Sequence, residues 1–197
     1  WKANLSKIEI KSNPAKTTYY QGENVNTTGL VLHAIYNDSN YQEITGNYSI
    51  SPTTLNAAGT QKVTVTYSGK TTSFNVTVKS VSLESISINT NPTKTTYYQG
   101  DSIDTTGLVL KAKYNNGTTK NITSGYTVSP TTLNTTGTQK IIITYQNKTT
   151  SYNVNVNKND IKSISFKTIP KKTEYYQGEK IDTTGMILKV TYNNGTT

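Results

Sequence analysis

The residues of this 197-residue chain that could do chemistry are eleven carboxylates, a single imidazole (His33) and fifteen tyrosines; there is no thiol. Carboxylates could work as general acid and base or hold calcium, an imidazole could activate a serine, and tyrosine faces could stack on a sugar. What constrains each reading is that these residues recur. The stretch from Lys94 to Leu108, which contains Tyr97-Tyr98-Gln99-Gly100-Asp101 and Asp104-Thr105-Thr106-Gly107, has an earlier version from Lys16 to Leu30 and a later one from Lys172 to Met186. Tyr20, Tyr98 and Tyr176 stand 78 residues apart (98 − 20 and 176 − 98). A period of this size marks repeated small domains rather than a solenoid.

The repeats serve as an internal test of each candidate. His33 occupies a position filled by Lys111 and Lys189 in the other copies, so a solvated side chain is expected and a triad or metal ligand is not. Asp104 and Asp182 share a position with Asn26, a change that calcium binding or acid catalysis would tolerate poorly. A hydrogen bond to the following Thr-Thr-Gly backbone, which Asn also makes, is the expected role. The glycines stand singly in turns and form no phosphate loop, so no cofactor is expected. Spontaneous side-chain cross-links need a buried amine or hydroxyl, an amide and an acid. Lys62 and Lys140 read as outward-facing, which leaves Gln21, Gln99 or Gln177 with a threonine as the remaining pairing. The Asn-x-Thr/Ser triplets, such as Asn121-Ile122-Thr123, read as an Asn- and Thr-rich surface. The candidate binding residues are the pairs Tyr19/Tyr20, Tyr97/Tyr98 and Tyr175/Tyr176. Alternation along a strand turns one ring of each pair inward and the other outward. The outward ring could stack on a glycan, although covering a sheet edge or packing on the linker is expected first.

The elements that position these residues are strands. Leu30, Leu32, Ala34 and Tyr36 alternate with Val31, His33 and Ile35; the second copy has Leu108, Leu110, Ala112 and Tyr114 against Val109, Lys111 and Lys113. The first set is apolar or aromatic in every copy and must face the core; the second accepts charge. The same alternation marks Leu5–Ile10, Val63–Tyr67 and Phe74–Val78, with shorter strands at Thr17–Tyr20 and Tyr48–Ile50. Leu55 and Leu133 are expected to plug the core from loops, and Asn115-Asn116-Gly117-Thr118 reads as a type I′ turn. No segment carries a helical period. Each unit therefore has about seven short strands, and the fold is all-β: tandem two-sheet sandwiches over residues 1–78 and 79–156, with the first half of a third at 157–197. The linkers at 79–82 and 157–160 lack glycine, which predicts an extended rod with limited bending.

Net charge is +9, carried entirely by lysine. The absence of arginine and the scattering of the lysines argue against nucleic acid and suit weak contact with an anionic wall polymer. No stretch is apolar enough to span a membrane. Trp1 reads as an arbitrary start within a larger protein. The incomplete third repeat could be disordered, be the visible part of a longer chain, or pair by strand exchange with a neighbour; the second is expected.

Tyr-Gln-Gly-Asp/Glu at Tyr98–Asp101, Ile-Asp-Thr-Thr-Gly-Leu at Ile103–Leu108, Tyr-Asn-Asn-Gly-Thr-Thr at Tyr114–Thr119, Gly-Thr-Gln-Lys at Gly137–Lys140 and the hairpin Lys148–Val156 together resemble the bacterial immunoglobulin-like domain, group 3. The first copy departs with Val25-Asn26 and Asn37-Asp38-Ser39. The resemblance implies an immunoglobulin-like sandwich in a secreted or surface protein of a Gram-positive bacterium, without catalytic residues. The role it implies is a spacer or stalk that projects another domain, whose partners are the adjoining domains of the same polypeptide. The alternatives are an adhesin module that binds a glycan or host protein, and a building block of a surface layer or filament.

Overall fold

The structure, a computed structural model, describes residues 3–197; Trp1 lies outside the described residues. The chain divides into two compact units, residues 1–82 and 83–197.

In the first unit, β1 (Leu5–Ser12), β3 (Val31–Tyr36) and β4 (Tyr41–Ile44) form an antiparallel sheet in the order β1-β3-β4. The facing sheet has the order β2-β7-β6-β5, from β2 (Thr18–Tyr20), β7 (Lys70–Lys79), β6 (Gly59–Tyr67) and β5 (Ser49–Ser51). Its β2 runs parallel to β7, with Thr18 opposite Thr77 and Tyr20 opposite Lys79. The alternation in sequence explains the two layers. Leu32, Ala34, Val63 and Val65 are fully buried between them, whereas Val31, His33 and Ile35 on the other face of β3 are half-buried. Leu55 fills the core from a loop. Its N–H donates to Glu23 O (2.9 Å) and its carbonyl accepts from Gly22 N (2.8 Å), so the plug is tied to the Tyr-Gln-Gly turn.

The second unit repeats this plan. Its sheets are β11-β10-β8 and β12-β13-β14-β9, from β8 (Leu83–Thr90), β9 (Thr96–Tyr98), β10 (Val109–Tyr114), β11 (Thr119–Ile122), β12 (Thr127–Ser129), β13 (Gly137–Tyr145) and β14 (Lys148–Asn157). Leu133 is the loop plug, bonded to Asp101 O and Gly100 N as Leu55 is to their counterparts. The cores are two separate clusters, one around Leu32 and Val65 and the other around Leu110 and Ile143. The strands leave connections of only three residues, 80–82 and 158–160. Beyond the second, β15 (Ile161–Thr168) pairs with β16 (Ile187–Tyr192), with Ile164 opposite Val190 as Ile86 is opposite Ala112. Phe166, Ile164 and Leu188 on these strands are exposed, whereas Leu110, the counterpart of Leu188, is fully buried.

Two local readings change. The type I′ turn belongs at Ser68-Gly69 and Gln146-Asn147, where both central residues have positive φ (45° and 79°; 46° and 63°). In Asn115-Asn116-Gly117 only Gly117 does (φ 81°), and Gly117 N donates to Tyr114 O, so this is a three-residue loop in which the last residue takes the left-handed conformation. In addition, β4 and β11 are strands that alternation does not signal. Ile44 and Ile122 are their only buried residues, and pairing to β3 and β10 holds them in place.

Candidate functional site

The motif repeated most strictly builds a local clasp. Tyr19 is 1 % exposed; its hydroxyl lies 3.0 Å from Lys16 O and 3.2 Å from Asn26 O as donor, and accepts from Asn26 N at 3.1 Å. Tyr97 is buried equally and makes the same three contacts with Lys94 O, Asp104 O and Asp104 N; Tyr175 makes them with Lys172 O, Asp182 O and Asp182 N. The motif lysine closes the other side. Lys16, Lys94 and Lys172 place Nζ 4.6, 4.5 and 4.8 Å from the centroids of Tyr19, Tyr97 and Tyr175. The same amines pair with Glu23 (3.0 Å), Asp101 (3.5 Å) and Glu179 (2.9 Å).

Each of those carboxylates also accepts the backbone N–H of the second tyrosine, Tyr20, Tyr98 or Tyr176. The Tyr20 N–H and then Lys16 hold Glu23 below the usual carboxylate range. Burial pushes Asp101 up, but the Tyr98 N–H, Asn194 and Lys94 together bring it below its ordinary value. Lys172 and the Tyr176 N–H lower Glu179. These are carboxylates fixed in the charged form, which suits neither a general acid nor a base poised near neutrality.

Tyr19 and Tyr97, named above as binding candidates, therefore offer no ring face to a ligand: the apolar body is in the core and the hydroxyl is committed to the backbone. Their partners Tyr20 and Tyr98 are half-buried, Tyr175 is half-buried and Tyr176 is 86 % exposed. Asp104 accepts from Thr106 N (2.9 Å) and Thr106 Oγ1 (2.6 Å), Asn26 from Thr28 N (2.9 Å), and Asp182 from Thr184 N (2.9 Å). This is the expected local Asx bond, and it lowers Asp104 and Asp182 from their ordinary values through the threonine hydroxyl and N–H. Among the described residues no three His, Asp or Glu side chains are grouped to hold a metal. The Gln21 amide donates to Asn56 O (3.1 Å) and accepts from Val81 N (3.2 Å), and Gln99 donates to Asn134 O (2.8 Å). These amides brace backbone, which corrects the threonine–glutamine pairing considered for them.

His33 also departs from expectation. It is half-buried, not solvated, because β4 brings Tyr41 beside it with ring centroids 4.5 Å apart. Its Nε2 is shielded from solvent and makes no hydrogen bond, with Glu43 Oε1 standing 3.6 Å away. In the second repeat Thr119 replaces Tyr41, and Lys111, in the place of His33, is exposed. Tyr41, 62 % exposed, is a surface aromatic that the sequence pattern does not single out.

Residues 12–78 and 90–156 match the profile of the bacterial Ig-like domain (group 3). The chain belongs to this family. Its two complete sandwiches are Ig-like domains of this group. Pectate lyase L of Thermoclostridium stercorarium is 32 % identical over 203 residues, covering 96 % of this chain. The chain spans only 16 % of that relative's length. Among solved structures, surface layer protein SbsC domains 1–6 aligns with a TM-score of 0.36 at 19 % identity, over 85 % of this chain and 30 % of that one. SbsC domains 4 and 5 align at 0.31 and 20 % identity, over 78 % of this chain and 99 % of that one.

Proposed function

We propose that these group 3 repeats are a structural module, a spacer that holds other parts of a bacterial surface or secreted protein at a set separation. The observation that carries this reading is the clasp: the first tyrosine of the repeated pair is spent on the repeat's own backbone in all three copies. Strand order adds to it. Because β2 lies parallel to β7, and β9 to β14, tension between a repeat's ends shears those pairings instead of peeling them bond by bond. The Gln21 N–H to Lys79 O and Thr77 N–H to Thr17 O bonds extend the sheared set in the first repeat. A pectate lyase that carries matching repeats in a minor part of its length suits a non-catalytic segment beside a catalytic one.

The test is single-molecule extension of the chain between handles. The expected record has discrete unfolding events, each releasing roughly 250 Å of chain for a unit of this size. Extension without discrete events, or turnover of a polysaccharide by the chain alone, would overturn the reading.

A surface-layer building block is the second reading, supported by the exposed apolar residues Ile164, Phe166, Ile187 and Leu188 on the β15–β16 pair. Sedimentation over a wide concentration range tests it: self-association lost on Phe166→Ser supports assembly, and a monomer throughout excludes it for this chain.

A further inference from the structure

We propose that the outer face of the β1-β3-β4 sheet is a binding platform for a neutral saccharide, centred on Tyr41 and His33. Four side chains share this face: Tyr41 stands opposite Ile35, and Glu43 opposite His33. The Tyr41 ring, exposed over more than half its surface and tilted 30° against His33, presents a broad apolar face to solvent. Such a face suits the C–H side of a sugar ring, which is flat and apolar between its equatorial hydroxyls. One polar group stands at the edge of the platform. His33 lies under Tyr41 with its Nε2 shielded from solvent, so it supports the ring, and the Glu43 carboxylate beside it is the group that can accept from a hydroxyl. A fixed polar group beside an apolar floor is what orients a small ligand.

The charges around the platform cancel, and this selects the ligand class. Glu43 is ion-paired with Lys11, and Lys7 with Glu9. Among the described residues of this face an acidic polymer would find no unpaired lysine, in contrast to the second repeat, where the same face carries Lys111 and Lys113, of which Lys113 is paired to Glu84. The platform exists only where the repeats differ: Thr119 and Lys111 take the places of Tyr41 and His33. A shared structural need would not produce that difference, because the second repeat folds on the same strand register without the two rings. The proposal is independent of the spacer reading, since a spacer can carry a docking face on one unit.

The test is isothermal titration of the 197-residue chain with cellohexaose, xylohexaose and mannohexaose, and with polygalacturonate as the charged comparator. At least one neutral oligosaccharide is expected to bind with a Kd of roughly a millimolar or tighter. Tyr41→Thr and His33→Lys install side chains that the second repeat already accommodates, and each is expected to weaken binding about tenfold or more. Tyr41→Phe keeps the ring and is expected to stay within about threefold of the unsubstituted chain. Thermal unfolding of each variant confirms that the first repeat is intact. The proposal is overturned if no neutral saccharide binds, if only polygalacturonate does, or if Tyr41→Thr binds as tightly as the unsubstituted chain.

Discussion

Two tyrosines in the second repeat should respond in opposite directions to loss of the same atom. Tyr97 and Tyr152 are both buried, at 1 % and 8 % exposure. The Tyr97 hydroxyl serves Lys94 O, Asp104 O and Asp104 N, whereas the Tyr152 hydroxyl is buried with no partner. Tyr97→Phe leaves buried backbone groups without their bond and should cost about 2 kcal/mol. Tyr152→Phe removes a hydroxyl that gave up water and gained nothing, and should stabilise by about 1 kcal/mol. The first repeat has Phe74 at this position, so the ring fits the fold without its hydroxyl. For a domain of this size, about 1 kcal/mol moves Tm by roughly 4–8 °C. Scanning calorimetry of the chain reads both effects in the second repeat, with the first repeat, which has its own core, as reference. Alkaline pH gives a second readout. Burial, then neighbouring Tyr97 and Tyr126, push the Tyr152 phenol up to about 12. A raised folded value means that the unfolded chain loses its proton first, so stability falls as pH rises from about 10 toward 12. The advantage of Tyr152→Phe should therefore widen over that window. If Tyr152→Phe instead lowers the second transition by more than about 0.5 kcal/mol, the hydroxyl has a partner and the argument fails.

Three further outcomes follow from the same geometry. Glu23→Gln weakens the clasp by less than about 1 kcal/mol at neutral pH, since the Lys16 pair is solvent-exposed. The Glu23 folded value is depressed, so its contribution is present above the unfolded value near 4.5 and is lost as pH falls through the folded one. Urea titrations at pH 7 and pH 3 should show the variant's deficit shrinking in acid; a constant deficit refutes the charge argument. Ser39 holds φ 63° where the second repeat has Gly117 at 81°, so Ser39→Gly should raise the first repeat's stability by about 0.5–1 kcal/mol, measured by urea midpoint. Leu55→Ala should cost the first repeat about 2–5 kcal/mol and leave the second transition in place; a joint shift in calorimetry would mean that the cores are coupled.

Much of the fold was legible in the chain because one unit could be read against the next. Leu32 and Leu110 in register, with His33 and Lys111 between them and their neighbours, separate a core face from an outer face without any structure, since strand side chains alternate strictly. The turn at Gln146-Asn147 was not legible as type I′. Its residues lack the expected glycine, and only the register that β13 and β14 must keep forces both into positive φ. The β4 strand was missed for a related reason: with Ile44 alone turned inward, its position comes from backbone bonds to β3 and not from a hydrophobic pattern.

Linear order alone therefore determined the repeat length, the two-layer β class, the core faces and the family, because each depends on local alternation or on residues at fixed spacing. What the tyrosine motif does was decided only in three dimensions. Whether Tyr19 meets a ligand or a carbonyl depends on where Lys16 O and Asn26 O lie once the loop has closed. The Tyr41–His33 stack likewise joins residues on two strands, and their faces meet only after the sheet has set the register between them.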